Sequence, residues 1–187
     1  SCSICNDAEN FSLSDIIEID AASNNSVDDI RDLRDGTIYT PERCKYKIYI
    51  IDEVHMLSIS AFNALLKIME EPPSYVKFIL ATTEIHKVPA TITSRCQRFD
   101  FRRILSDDIA KRLIFIAEKE NITLDKEAAF LIAQLSDGGM RDALSILDQC
   151  SAFSNNINIE TVANAAGIAD RTAIFEIVRL NDSIRAM

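Results

Sequence analysis

The sequence predicts an α/β unit built on a parallel sheet, followed by an all-helical unit, and three observations carry that expectation. Short β-rich apolar runs alternate with segments of helical spacing as far as residue 101, the interval of a parallel sheet with crossover helices. One run, residues 48–51, is apolar at four successive positions and β-branched at three, as in a strand buried on both faces. After Ile104 the strand-like runs stop and only helical spacing continues.

Residues 15–20, Asp-Ile-Ile-Glu-Ile-Asp, make the first expected strand. Ser23, Asn24, Asn25 and Ser26 are cap-type residues, and Asp28 and Asp29 suit the first turn of a helix that stops at Gly36. Thr40-Pro41 marks a turn before the second strand, residues 47–52. Ser58 caps a helix with Phe62, Leu65, Leu66 and Met69 on one face, and Glu70-Glu71-Pro72-Pro73 ends it. Residues 76–81 form the third strand, 90–94 a short helix and 97–101 a fourth strand.

Beyond Ile104, Ser106 caps a helix with Ile109, Leu113 and Ile116 on one face, and Asp125 caps another that reaches Leu135. Gly138-Gly139 breaks the chain before helices at 141–151 and 159–166. From Asp170 the tail is amphipathic through Ile174, Ile177 and Val178.

The composition, 48% hydrophobic and 26% charged, is that of a globular protein with a real core. A net charge of −9 argues against a broad basic face that coats nucleic acid, while leaving room for a few local phosphate contacts. No apolar stretch is long enough to span a bilayer and no signal-peptide pattern opens the chain, so a cytosolic location and no membrane partner are expected. The five cysteines are spaced as reduced thiols rather than as a disulfide framework.

The residues that invite chemistry are Asp52 and Glu53, adjacent acids at the tip of the apolar run. Unpaired buried charge costs several kcal/mol. A divalent cation held by Asp52 and a water polarised by Glu53 would justify the placement, and a plain cap on the following helix would do so equally.

The neighbouring segments decide between these. Asp-Glu-Val-His-Met-Leu-Ser (52–58), Phe-Asn-Ala-Leu-Leu-Lys-Ile-Met-Glu-Glu-Pro-Pro (62–73), Ala-Thr-Thr-Glu (81–84) and Thr-Ser-Arg-Cys (93–96) resemble the bacterial DNA polymerase III gamma/tau family, the clamp-loader ATPases of the AAA+ class. The resemblance runs from Cys2 to at least residue 168. It implies an incomplete AAA+ P-loop-type parallel sheet flanked by helices, followed by a small all-α lid. Residues 1–14 would be the remnant of a zinc-binding module, 15–104 the C-terminal part of the ATPase domain and 105–168 the lid. Residues 169–187 would begin a third, helical oligomerisation domain, the collar.

The resemblance also assigns roles. Asp52 is the Mg²⁺-side acid and Glu53 the general base for ATP hydrolysis. Thr82 and Thr83 stand where the family senses the γ-phosphate, with Thr83 the preferred sensor. Arg95 is presented in trans to the ATP of a neighbouring subunit, a task that suits a permanently charged fork. Arg141 is a second sensor, reaching from the lid to the nucleotide. Cys2 and Cys5 have the two-residue gap of zinc ligands and would be the last two of four, a structural Zn²⁺ belonging to the intact protein. For DNA, the turn Asn24-Asn25-Ser26 leads into a helix N-terminus, which binds phosphate without base specificity. That turn carries no Lys or Arg, and acids surround Arg31 and Arg34 on the helix. Neither His55 nor His86 is given chemistry.

No Gly-x-x-x-x-Gly-Lys-Ser/Thr occurs in the 187 residues, so the chain is expected to be an N-terminally truncated fragment, inactive by itself. The intact protein is expected to use ATP and Mg²⁺ to load a sliding clamp on primed DNA during replication. It would act in a hetero-oligomeric ring with delta, delta-prime and further gamma/tau copies, DNA synthesis belonging to another subunit of the holoenzyme. A non-hydrolysing, delta-prime-like assembly subunit is the alternative, against which the intact Asp52-Glu53 pair and Arg141 speak. A helicase motor of the same class would lack Ser-Arg-Cys and the zinc module.

Overall fold

Ile16–Asp20 forms β1, Lys47–Asp52 β2 and Val76–Leu80 β3 in the computed structural model, which describes residues 2–10 and 12–167. The strands run parallel in the order β1-β2-β3, with Ile16 opposite Ile48, Asp20 opposite Asp52 and Ile51 opposite Leu80. Parallel neighbours need crossover connections, and α2 (Val27–Gly36) and α3 (Ile59–Glu70) supply them. Ser26 and Asp29 start α2 with a reciprocal capping box, and Ser58 starts α3 by accepting the Ala61 amide. A short α1 (Ser3–Glu9) precedes the sheet and α4 (Ala90–Thr93) follows it.

The core of this unit gathers Ile30 and Leu33 of α2, Ala61, Phe62, Leu65 and Ile68 of α3, and Tyr49 and Ile51 of β2. Each large side chain fully buried here contributes about 1.5–3 kcal/mol. Tyr49 also stacks on Phe78 of β3, with ring centroids 5.7 Å apart. The opposite sheet face is different: Ile48 and Ile50 are half-buried and Ile79 is 51% exposed. The expectation that β2 is buried on both faces therefore holds for one face. A run of apolar residues reports local β preference, whereas burial needs a second layer.

The loop ahead of β2 is held by an interior acid. Asp15 is 2% exposed, and its carboxylate accepts the amides of Glu42, Arg43 and Cys44, each at 2.8 Å. Burial pushes its pKa up, but the three amides outweigh that and hold the carboxyl below its ordinary range. The Asp15 carbonyl also accepts the Ile48 amide at 2.8 Å, so one residue fixes both the loop and the start of the β1–β2 pairing.

The chain divides into two units between Phe99 and Asp100. In the second, α5 (Ser106–Lys119), α6 (Lys126–Leu135), α7 (Met140–Phe153) and α8 (Ile159–Ala165) enclose Ile109, Leu113, Leu131, Ile132, Leu147 and Val162. Gly138 takes φ +81° between α6 and α7, where an added Cβ would lie 2.6 Å from the Cβ of Arg103. That position needs glycine on both counts.

Three expectations are corrected. Residues 97–101 form no strand: Phe99 is 70% and Phe101 98% exposed, and the alternating pattern has no ladder to join. Ser106 is the first residue of α5 rather than its cap, Leu105 standing at the N-cap. The second unit is not wholly helical, because β4 (Thr123–Leu124) pairs in parallel with β5 (Asn156–Ile157). The amphipathic tail from Asp170 and the expected collar domain, residues 169–187, lie outside the described residues.

Candidate functional site

In open α/β sheets, ligands bind beyond the carboxyl ends of the strands. Asp20 and Asp52 end β1 and β2 as direct neighbours there. Asp20 is engaged by its own turn, accepting the Ala22 amide at 2.8 Å and the Ser23 hydroxyl at 3.0 Å. Asp52 is exposed, and its Oδ1 accepts the amide of Glu53 at 2.9 Å.

Glu53 leaves the strand in the left-handed region, φ 47°. A side chain there costs about 1–2 kcal/mol. The turn lets Glu53 reach the end of β3, where the Thr83 hydroxyl donates to its Oε2 at 3.1 Å. Two backbone bonds lock these strand ends together: Ala81 N–H to Ile51 O and Val54 N–H to Ala81 O, both at 2.9 Å. Asp52, Glu53 and Thr83 thus meet at one edge of the sheet.

Thr82 faces elsewhere. Its Oγ1 accepts the Glu84 amide at 3.0 Å and lies 3.0 Å from Nδ1 of His55. The same Nδ1 is 3.2 Å from Glu53 Oε2, and Nε2 is 3.2 Å from Glu84 Oε2. The His55 side chain is 8% exposed, against 37% for Glu53 and 36% for Glu84. Glu84 is in turn bonded by Lys87 at 2.6 Å, and this hydrogen bond holds its carboxyl below the ordinary range. Sequence alone gives His55 no role. The available signal was an imidazole two positions after a carboxylate, between Val54 and Met56 in an apolar stretch.

Asp52 fits a Mg²⁺ that arrives with its substrate, because magnesium is held by one or two carboxylates plus phosphates rather than by a protein cage. Among the described residues there is no cluster of three or more metal-ligating side chains. Cys2 and Cys5 are both exposed, with Sγ atoms 3.3 Å apart. The Cys5 amide and thiol beside Cys2 hold its thiol below the ordinary cysteine range. Two adjacent thiols suit one edge of a zinc tetrahedron, and a closed structural site needs two further ligands.

Arg95, just beyond α4, donates from Nη1 to Thr91 O at 2.8 Å and reaches Glu70 from Nη2 at 3.4 Å, with 40% of its side chain exposed. Arg141 is exposed in the first turn of α7, in the second unit. At the turn before α2, Asn24 donates to Asp20 O, the Asn25 carbonyl accepts the Ser58 amide and Ser26 is tied to Asp29. Beside it, Arg31, Arg34, Ser60, Asn63 and Lys67 line a groove of about 310 Å³ between α2 and α3. Arg31 pairs with Asp28 and Arg34 with Asp35, at 2.7 and 2.9 Å.

Residues 1–105 match the family described as DNA polymerase III, delta subunit, and residues 108–156 match the DNA polymerase III clamp loader subunit, ATPase lid domain. The DNA polymerase III subunit tau of Bacillus subtilis is 58% identical over 156 residues, 83% of this chain and 28% of that protein. The gamma/tau subunit of Mycoplasma genitalium is 48% identical over 181 residues, 96% of this chain and 30% of its own. The tau subunit of Escherichia coli is 44% identical over 170 residues, covering 90% and 26%. This chain therefore spans less than a third of the length of these relatives. Among solved structures, the Thermotoga maritima RuvB Holliday junction branch migration motor superposes with a TM-score of 0.68 at 16% identity, over 87% of this chain and 55% of that one. That likeness concerns the fold.

Proposed function

This chain belongs to the DNA polymerase III clamp-loader family, with gamma and tau subunits as its relatives, and on that premise we propose that its full-length protein is the ATP-hydrolysing motor of a bacterial clamp loader. The observation that carries the proposal is the convergence of Asp52, Glu53 and Thr83 at the carboxyl edge of β2 and β3, with Thr83 3.1 Å from Glu53.

When bound with ATP, Mg²⁺ supplies charge neutralisation for the phosphates, and Asp52 is the residue that would hold it. Glu53 accepts the proton of the attacking water. Thr83 reads the γ-phosphate, with Thr82 bracing the same loop. Arg141 senses the nucleotide from the lid, and Arg95 exchanges its present bonds for the phosphates of a neighbouring subunit's ATP. Cys2 and Cys5 serve as two of four ligands to a structural Zn²⁺. Phosphates of primed DNA contact Asn24, Asn25 and Ser26, with the cations of the α2–α3 groove alongside.

In this proposal the protein assembles with delta, delta-prime and further gamma/tau copies in the bacterial cytoplasm, opens the sliding clamp with ATP and releases it on DNA by hydrolysis. Among the described residues no helix is long and apolar enough to cross a membrane. The 187 residues alone hydrolyse ATP poorly, since no phosphate-cradling loop is among them. A silent assembly subunit is disfavoured by the intact Asp52-Glu53 pair and by relatives named gamma and tau.

The test is hydrolysis by the assembled loader with primed DNA, comparing wild type and Glu53→Gln. Loss of about 10²–10⁴-fold in kcat is expected of a general base. Equal rates in the two proteins would reject Glu53 as that base.

A further inference from the structure

We propose that His55 is the positioning residue of the hydrolytic carboxylate, fixing Glu53 through one ring nitrogen while Glu84 anchors the other; this rests on Glu53 being the base. An imidazole only 8% exposed needs partners for both nitrogens. Here the partners are not backbone carbonyls, which would make the ring a simple brace. They are two carboxylates and a hydroxyl that belong to the site: Glu53 at 3.2 Å and Thr82 at 3.0 Å on Nδ1, and Glu84 at 3.2 Å on Nε2.

Glu53 has a long, rotatable stem, and a general base displaced by about 1 Å can lose about a hundredfold in rate. Its Oε2 is held by two groups, the Thr83 hydroxyl and His55 Nδ1, and the proton of water is accepted at the other oxygen, Oε1. Glu84 does not wander, because Lys87 bonds its side chain at 2.6 Å and Thr82 Oγ1 accepts its amide at 3.0 Å. The result is a chain, Lys87–Glu84–His55–Glu53, that begins on the loop after β3 and ends on the residue after β2.

That layout has a functional consequence. Glu53 and His55 sit on the loop after β2 while Thr83 and Glu84 sit on the loop after β3, so His55, through Glu84, joins the direct Thr83 bond in carrying a shift of the β3 loop to the base. A sensor at Thr83 and the base at Glu53 then respond together when the phosphate contact at Thr83 changes.

The experiment compares ATP hydrolysis by the clamp loader assembled with the full-length subunit, with and without primed DNA, for His55→Ala, His55→Asn, His55→Gln and Glu53→Gln. Asparagine places an amide where Nδ1 stands and glutamine where Nε2 stands. His55→Ala is expected to lower kcat about ten- to a hundredfold with KM for ATP within about twofold. His55→Asn recovers most of kcat because it keeps the Glu53 contact, and His55→Gln does not. A His55→Ala kcat within about twofold of wild type would overturn the proposal. Equal losses in all three His55 variants, tracking a lowered melting temperature, would overturn it as well, showing a brace of the fold. Full activity in Glu53→Gln would remove the base assignment and this proposal together. A dead Glu53→Gln beside an unaffected His55→Ala would remove this proposal alone.

Discussion

Replacing Asp15 by Asn tests how this fold sets the loop that leads into its central strand. The Asp15 carboxylate is 2% exposed and accepts three amides at 2.8 Å, from Glu42, Arg43 and Cys44. Bonds to a charged acceptor contribute about 1.5–3 kcal/mol each, and three that share one carboxylate are not additive. Asparagine keeps one oxygen and turns an NH₂ toward an N–H, so at least one amide loses its acceptor. A loss of about 3 kcal/mol at pH 7 is expected. It is read locally as roughly a hundredfold faster hydrogen exchange at the Glu42, Arg43 and Cys44 amides of the full-length protein.

The pH dependence supplies the second check. The folded-state pKa of Asp15 lies below its unfolded value, so its contribution is fully present above about pH 4 and fades as pH falls through the depressed folded value. Wild type and Asp15→Asn should therefore differ most near neutrality and converge in acid. Equal exchange rates in the two proteins at pH 7, or a difference that persists undiminished in acid, would refute the argument.

Other substitutions probe packing. The Tyr49 hydroxyl is buried and has no hydrogen-bond partner among the described residues, so Tyr49→Phe should be neutral or raise stability by about 1 kcal/mol in a urea melt. Gly138→Ala meets both a positive φ and the Arg103 side chain, and should lower stability by about 1–3 kcal/mol in the same measurement.

How legible this protein is from sequence depends on whether a feature is local. The strand at residues 47–52 appeared as expected because a run of β-branched residues ending in Asp and bounded by turn signals is local information. The caps at Ser26 and Ser58 did so for the same reason, since a hydroxyl three residues ahead of an amide can bond it without help from distant residues. Residues 97–101 did not become a strand, because alternation cannot create a neighbour to pair with. Asp52 and Glu53 stood out as adjacent acids, whereas His55 did not, its partners Thr82 and Glu84 being 27 and 29 residues away in sequence.

By itself, the sequence determined the order β1-α2-β2-α3-β3, the helix starts at Ser26 and Ser58 and the identity of the acids at the strand tip. These follow from backbone preference and from hydrogen bonds that close within a few residues. Only the tertiary structure decided which sheet face is covered, that Glu53 takes a left-handed turn, and that Thr83 and His55 meet on its Oε2. Those outcomes require β2 and β3 to lie side by side in one register, and side-by-side pairing brings together residues that no local pattern connects.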